Sequence, residues 1–149
     1  MLHLPGGAPE LDPEAVAGRA IRRCAERMLD PPLGEFEGLP ALRRFAAEVG
    51  EWPQVAEDWR WCARFNYQVI ERRGTGGGNF RLMYSRFLEE LGVPQAPAVA
   101  ASAERWTALA GALQEASEPE EPAPRLWTEV AARAGAVLEA EERLWPELA

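Results

Sequence analysis

Apolar residues recur at intervals of three and four along most of the chain, and runs of strict alternation are nearly absent. An interval of three and four places apolar side chains on one face of an α-helix, whereas a half-buried strand alternates with a period of two. The pattern therefore predicts an all-α fold of about six helices.

Capping residues, prolines and glycines set the limits of the first three predicted helices. The first begins after Asp12, an N-cap followed by proline, and ends at "DPP" (30–32). The second begins near Pro40 and ends at Gly50, and the third covers about residues 53–73. The expected inward residues are Val16, Ala20, Cys24 and Met28 in the first helix, Leu42, Phe45, Ala46 and Val49 in the second, and Val55, Trp59, Cys62, Asn66 and Val69 in the third. For Asn66, a hydrogen bond within the protein is favoured over a ligand-binding role.

Three further helices are predicted over residues 79–91, 99–116 and 125–148. Gly92 is a fitting stop for the first of these. The expected inward residues are Phe80, Met83, Tyr84, Phe87, Leu88 and Leu91, then Val99, Ala103, Trp106, Ala110 and Leu113, and finally Leu126, Val130, Ala134, Val137, Leu138 and Leu144. The proline- and glutamate-rich residues 117–124 are interpreted as a solvated loop, so the last two helices should form an antiparallel hairpin.

The 149 residues match the size of one ordinary domain, with residues 1–11 expected to be flexible. No apolar run approaches the ~20 residues of a membrane span, and the first residues do not resemble a signal peptide. A cytoplasmic protein is expected. Six tryptophans in so short a helical chain favour a homodimer.

The residue inventory excludes several kinds of chemistry. All sixteen basic residues are arginine, so a Walker-type phosphate loop and Schiff-base catalysis lack their lysine. The only histidine is His3, which leaves no zinc motif and no Ser-His-Asp set. Cys24 and Cys62 stand alone and are expected to be small core residues. The sequence therefore predicts no catalytic residue, no metal ligand and no cofactor.

The segment "RRGTGGGNFR" (72–81) is the most unusual part of the chain. Its four glycines cost about 2–4 kcal/mol relative to alanine, more than a simple turn requires. Backbone N–H groups at the start of the following helix are a suitable site for an anion. The predicted anion-binding residues are Arg72, Arg73, Gly74, Thr75, Gly76, Gly77, Gly78, Asn79, Arg81 and Tyr84. The glycine spacing does not match the dinucleotide-binding fingerprint.

Charge is segregated around this segment. Residues 59–88 hold six arginines and one acid, a local net charge of +5 in a chain of net charge -8. Such a surface suits a phosphate, a carboxylate or an acidic partner protein, while the acidic whole disfavours nucleic acid. The structural alternative is that these arginines pair with acids on neighbouring helices, with Glu48, Glu89, Glu139 and Glu142 as candidates.

The stretch "IERRGTGGGNFRLMYSRFLEELG" (70–92) resembles the C-terminal helical domain, of unknown function, in butirosin-biosynthesis protein H-like proteins. The resemblance is specific over residues 67–92 and weaker over 38–52 and the last helix. In that family the domain follows a papain-like domain with a cysteine nucleophile, and the named member transfers an acyl group from an acyl carrier protein to an aminoglycoside amine. That papain-like domain is not within these residues, and Cys62 does not correspond to its nucleophile. The resemblance covers Arg73, Asn79, Arg81, Tyr84 and Phe87 by motif only.

Three functional hypotheses follow. The first is an accessory binding module that recognises an anionic ligand or an acidic partner, such as an acyl carrier protein, beside a papain-like catalytic chain. The second is one part of a composite acyltransferase whose catalytic residues lie on another chain. The third is a structural or dimerisation module without a ligand, in which the glycines let helices approach closely.

Overall fold

The computed structural model describes residues 12–73 and 77–149. Within these ranges the chain forms α-helices and no strand, which confirms the all-α prediction. The helices are α1 (Pro13–Leu29), α2 (Gly38–Glu48), α3 (Trp52–Val55), α4 (Trp59–Glu71), α5 (Gly77–Glu90), α6 (Ala96–Ala116) and α7 (Pro124–Leu148). Because α3 is a single turn, six longer helices carry the described part of the fold. Among the residues that the structure describes, every helix is too short or too polar to span a bilayer. The N-terminal residues expected to be flexible lie outside the described residues.

The predicted limits of α1 are confirmed, but its predicted inward face is wrong for all but Met28, which is half-buried against the core. The side chain of Asp12 accepts a hydrogen bond from the backbone N–H of Glu14 at 3.1 Å, and Pro13 occupies the first turn. Ile21 and Ala25 are the buried residues, whereas Val16, Ala20 and Cys24 are exposed. Two apolar stripes lie one position apart on this helix, and the one with the larger isoleucine faces the core.

α2 begins two residues before the predicted start because of an unusual glycine. Gly38 has a φ of +59°, and a Cβ there would lie 2.5 Å from the carbonyl oxygen of Met28. Only glycine allows the chain to pass so close to the end of α1. Leu42 and Val49 are buried as predicted. α2 ends at Glu48, two residues before the predicted stop at Gly50, and a 3₁₀ turn (Val49–Glu51) leads directly into α3.

The third predicted helix is two helices, α3 and α4. Ala56 is extended, with φ -99° and ψ 125°, and so ends α3. The side chain of Asp58 then caps α4 by accepting a hydrogen bond from the N–H of Trp61 at 2.9 Å. Val55, predicted to face inward, is 70% exposed, and Ala63 and Ile70 hold the buried positions.

The two cysteines differ from the prediction of small core residues. Both carry free thiols, and Cys24 is exposed while Cys62 is half-buried. The backbone carbonyl of Cys62 accepts a 2.9 Å hydrogen bond from the side-chain amide of Asn66. The prediction that Asn66 finds its partner within the protein is confirmed.

α6 and α7 form the predicted hairpin at the centre of the fold. Ser102 in the first half of α6 contacts Glu141 near the end of α7, while Ala108 and Arg133 border one surface depression, so the helices run antiparallel. The connecting loop is solvated at its glutamates but anchored at its start. There, Arg60 donates hydrogen bonds to the carbonyl oxygens of residues 117 and 118, at 3.3 Å and 3.2 Å.

Candidate binding groove between α1 and α5

α5 leaves much of its large apolar face outside the core. The predicted inward residues Phe80, Met83 and Phe87 are 41%, 60% and 40% exposed, so that prediction is wrong for them. The helix instead packs a narrow face, Gly78, Ser85 and Leu88, against α6. A Cβ on Gly78 would lie 2.9 Å from the Thr107 hydroxyl oxygen and 2.5 Å from Glu71 Oε1. Small side chains at this contact permit the close approach that turns the aromatic face outward.

The outward face of α5 forms one wall of an apolar groove of about 620 Å³. The opposite wall comes from Cys24, Arg27 and Met28 of α1, with Glu37 and Gly38 at the start of α2. Tyr84 and Trp145 lie at the floor, with their rings stacked at 6.0 Å between centroids. The groove falls within the usual volume range of small-molecule sites, about 300–1,000 Å³.

A buried carboxylate below the floor holds the groove together. Glu141 is fully buried and accepts two hydrogen bonds of 2.8 Å from Arg81, one from Nε and one from Nη2. Its other donors are the hydroxyl of Ser102 at 2.5 Å and the indole N–H groups of Trp106 at 3.0 Å and Trp145 at 2.6 Å. The Arg81 guanidinium also lies 4.8 Å from the centre of the Trp145 ring. The network therefore joins α5, α6 and α7 and fixes two residues that line the groove.

The charge state of Glu141 follows from this environment. Burial alone would raise its pKa, but the hydrogen bonds and charge of Arg81, together with the hydrogen bonds from Ser102 and Trp106, hold the pKa below its usual value. The carboxyl group is therefore ionised and paired inside the protein. Its hydrogen bonds with Arg81 and Trp145 hold these two side chains in place.

Two polar atoms next to the groove lack hydrogen-bond partners among the described residues. They are the hydroxyl oxygen of Tyr84 and Oε2 of Glu37, both shielded from solvent. Burial raises the pKa of Tyr84 to about 12, which further disfavours ionisation of the hydroxyl. An unsatisfied buried polar group costs about 1–3 kcal/mol.

A second, open cleft of about 340 Å³ adjoins the groove, and α2 and α4 supply most of its lining. Leu42, Phe45 and Ile70 supply much of its lining. Met28, Gly38 and Arg81 line both this cleft and the groove. These three residues therefore form the partition between the two spaces.

Four of the predicted anion-binding residues lie in two separate places. Arg81 and Tyr84 belong to the groove, where the guanidinium is engaged by Glu141. Arg72 and Arg73 lie exposed at the end of α4 and donate hydrogen bonds of 3.0 Å to the Tyr67 hydroxyl and to the Gln68 side chain. The sequence predicted Arg81 and Tyr84 as anion-binding residues, but it did not predict that they would be partly buried.

The remaining predicted positions lie at or before the start of α5. Gly77 and Gly78 are its first residues, and the Asn79 side chain donates a 2.8 Å hydrogen bond to the backbone carbonyl of Glu71. Gly74, Thr75 and Gly76 lie outside the described residues. The Glu71 carboxylate, which accepts a 2.8 Å hydrogen bond from Thr107, places a negative charge close to Gly78.

The alternative prediction, that the arginines of residues 59–88 pair with acids on neighbouring helices, is confirmed for one of them. Arg81 pairs with an acid of a neighbouring helix, but that acid is Glu141 rather than one of the four candidates. Three of those candidates pair with other arginines, namely Glu48 with Arg44, Glu142 with Arg43 and Glu139 with Arg143. Sequence reasoning missed Glu141, although a glutamate on the inward stripe of α7 between Val137 and Leu144 was a visible signal.

The family model for a domain of unknown function, DUF4872, matches residues 2–148 of the chain. The chain belongs to the DUF4872 family. In this DUF4872 domain, the groove, the Glu141 network and the glycine segment all fall inside the matched residues. Neither the curated proteins nor the solved structures include a match to the chain.

Proposed function

We propose that this DUF4872 domain is a binding module that holds an apolar group in the groove between α1 and α5. The observation that carries the proposal is the exposure of Phe80, Met83 and Phe87 around a concave space with an aromatic floor. Contiguous apolar surface in a concavity marks binding sites more often than scattered apolar residues do. Fully burying a Phe or Met side chain is worth about 1.5–3 kcal/mol, so covering these half-exposed side chains contributes roughly 2–4 kcal/mol to binding.

An anionic group is the second part of the proposed ligand. Arg72 and Arg73 are exposed where α4 ends, and the groove begins at Phe80, one turn into the helix that follows. A ligand with an apolar part in the groove and an anionic part at residues 72–81 would use both features. The carboxylate of Glu71 opposes an anion directly at Gly78, so the anion is assigned to the arginine side of the segment.

An acidic acyl carrier protein has the chemistry that fits both parts. Its acyl chain is apolar, and the arm that carries the chain includes a phosphate. The resemblance of residues 70–92 to butirosin-biosynthesis protein H-like proteins supports this partner and a papain-like chain as the catalytic component. The proposal for this domain is presentation of the acyl group, with the chemical step assigned to that other chain.

Calorimetric titration with sodium decanoate tests the groove. The wild-type domain should bind saturably, and Phe87→Ser should weaken binding at least tenfold by removing one wall. Val55→Ser is the matched control, because Val55 is 70% exposed but does not line the groove. The proposal is wrong if both substitutions have the same effect or if decanoate does not bind.

The carrier-protein part has a separate test. Titration of the isotope-labelled domain with an acylated carrier protein should shift amide resonances in residues 72–81 and along α5. Shifts along α5 alone would refute the proposed anion site at residues 72–81 and would leave the proposed groove site standing. Unchanged resonances in both regions would remove the carrier protein as a partner.

Dimerisation through the same surface is the second candidate. Leu91 is exposed and continues the apolar face of α5 beyond the groove, which favours a flat contact with a second copy. Light scattering after gel filtration decides between the two. A dimer that Met83→Arg converts to a monomer supports this candidate, and a monomeric wild type excludes it.

A further inference from the structure

The outer face of α4 carries a stripe of side chains that takes no part in the groove. At helical spacing, the residues of this α4 stripe are Trp61, Arg64, Phe65, Gln68 and Arg72. Ala63 and Ile70, on the opposite face of the helix, are buried. Trp61 is 58% exposed, and its ring stacks on that of Phe65 with 4.8 Å between the centroids. Because tryptophan and arginine are enriched at protein–protein interfaces, the stripe has the composition of a contact surface.

The stripe is basic toward the C-terminal end of α4. Arg73 folds back over it, with its guanidinium 5.3 Å from the centre of the Phe65 ring and a 3.0 Å hydrogen bond to the side chain of Gln68. Three exposed arginines here form no ion pair among the described residues, namely Arg64, Arg72 and Arg73. The acid at this end is Glu71, so three arginines and one glutamate leave a net charge of +2.

The N-terminal end of α4 is acidic. Arg60 donates hydrogen bonds to the carbonyl oxygens of residues 117 and 118, so the loop that follows α6 lies beside this end of the helix. The exposed acids of this end are Glu57, Asp58, Glu118, Glu120 and Glu121. Within residues 12–73 and 77–149 these five acids form no ion pair, and with Arg60 and Arg125 they leave a net charge of -3. The 13 residues of α4 separate the acidic end from the basic end by about 20 Å.

We infer that the α4 stripe is the contact between two copies of this chain. A twofold contact uses the same surface on both copies, so that surface must complement itself. Antiparallel pairing of the two α4 helices about a twofold axis near Phe65 meets this requirement, because the acidic end of each copy then faces Arg72 and Arg73 of the other. The exposed Trp61 side chains are covered near the middle of the contact.

Charge distinguishes a second copy from other occupants of the stripe. A nucleic acid would meet the acidic end of the same face and be repelled there. An acidic protein lying along the whole stripe would suit Arg72 and Arg73 but would oppose the acids at the other end. A second copy matches both ends. The inference is independent of the proposed groove, although a second copy would compete with the proposed anionic ligand for the two arginines.

Analytical ultracentrifugation over a range of protein concentrations tests the inference. A contact about one helix long is small for a specific interface, so the wild type should form a weak dimer that dissociates on dilution and on addition of salt. The double substitution Arg72→Glu and Arg73→Glu should weaken the dimer at least tenfold. Arg22→Glu with Arg23→Glu is the matched control, because these adjacent arginines are exposed on α1 and make the same change in charge. The control should dimerise as the wild type does.

A charge exchange between two variants identifies the contact. Glu120→Arg with Glu121→Arg should also weaken the dimer, because two basic ends then meet. When this variant is mixed with the one that carries Arg72→Glu and Arg73→Glu, each altered end meets an opposite charge and each unaltered end keeps its native partner. The mixture should therefore form a one-to-one heterodimer at concentrations at which each variant alone is monomeric. Circular dichroism confirms that both variants are folded.

Three results would overturn the inference. The first is a wild type that stays monomeric up to a protein concentration of about 1 mM. The second is a dimer that Met83→Arg dissociates but the Arg72 and Arg73 substitutions do not, which assigns the contact to α5. The third is a mixture of the two folded variants that stays monomeric. The groove is tested separately by decanoate binding, which none of these substitutions on α4 or in the loop should change.

Discussion

Replacing Arg81 by methionine tests how the buried Glu141 carboxylate is held. Methionine keeps much of the side-chain length and apolar stem but removes the guanidinium. Glu141 is fully buried, and Arg81 is its only cationic partner among the described residues. Removing one partner of a buried pair leaves an uncompensated charge, for which a loss of about 3–5 kcal/mol is expected.

The contacts around Glu141 support that magnitude. Arg81→Met removes two hydrogen bonds of 2.8 Å to a charged acceptor, each worth about 1.5–3 kcal/mol. The Ser102 hydroxyl and the two indole N–H groups remain, so the carboxylate keeps part of its stabilisation. The Arg81 side chain is 16% exposed, which lowers the expected loss toward 3 kcal/mol because solvent screens part of the charge.

A double-mutant cycle separates the pair from its surroundings. Glu141→Gln leaves an amide oxygen as acceptor and lets the guanidinium reach water at its exposed edge, so it should cost about 1–3 kcal/mol. The combination of both substitutions contains no buried charge. It should therefore be more stable than Arg81→Met alone, with a coupling of at least about 1 kcal/mol.

Urea unfolding followed by circular dichroism, at several pH values, measures these quantities. In the wild type the folded pKa of Glu141 lies below its unfolded value of about 4.3, so its contribution is present above that value and is lost as the pH falls through the folded pKa. In Arg81→Met, Glu141 is buried without a counter-charge, so its folded pKa rises above the unfolded value. Its effect on stability then has the opposite pH dependence, and the folded variant gains stability as the pH falls. The deficit of the variant should shrink as the pH is lowered from neutral toward 4.3. A deficit below about 1 kcal/mol at neutral pH, or one independent of pH, refutes the reasoning.

Three further substitutions test local features by urea unfolding. Gly38→Ala should cost more than about 3 kcal/mol, because it adds a contact with the Met28 carbonyl to a left-handed φ, whereas Gly34→Ala has the same strain in open space and should cost about 1–2 kcal/mol. Similar losses would refute the close contact. Asp58→Ala removes the α4 cap and should cost about 1 kcal/mol, and no loss would refute the cap. Gly111→Ala, in α6 with nothing near its Cβ position, should stabilise by about 0.5–1 kcal/mol, and a loss would indicate hidden crowding.

The C-terminal hairpin was predictable because the apolar spacing and the positions of the prolines indicate the same two helices. Val99, Ala110 and Leu113 of α6 are buried as their spacing predicts, and so are Val130 and Val137 of α7. The prolines near the start of each helix and the proline-rich connection fix the limits to within about three residues, the usual uncertainty of helix ends.

The break between α3 and α4 was not predicted because both sides carry helical apolar spacing. Asp58 caps α4 in the structure, but the continuous stripe through Val55 and Trp59 predicted a single helix. In the structure, Trp59 packs at 5.8 Å from Trp127, while Val55 faces solvent. Periodicity identifies residues that share a face, but it cannot identify a short turn that reorients part of that face.

The orientation of α5 shows why the candidate groove could not be predicted from periodicity. Turning the helix to bury Phe80, Met83 and Phe87 would satisfy the hydrophobic pattern, but it would withdraw Arg81 from the Glu141 carboxylate on α7. The cost of that isolated carboxylate, about 3–5 kcal/mol, is as large as the roughly 2–4 kcal/mol that covering the three apolar side chains contributes. Gly78 also makes a contact that only a residue without a side chain permits. A buried ion pair and a close helix contact thus hold the apolar face of α5 toward the groove, and both depend on long-range packing that a local pattern does not contain.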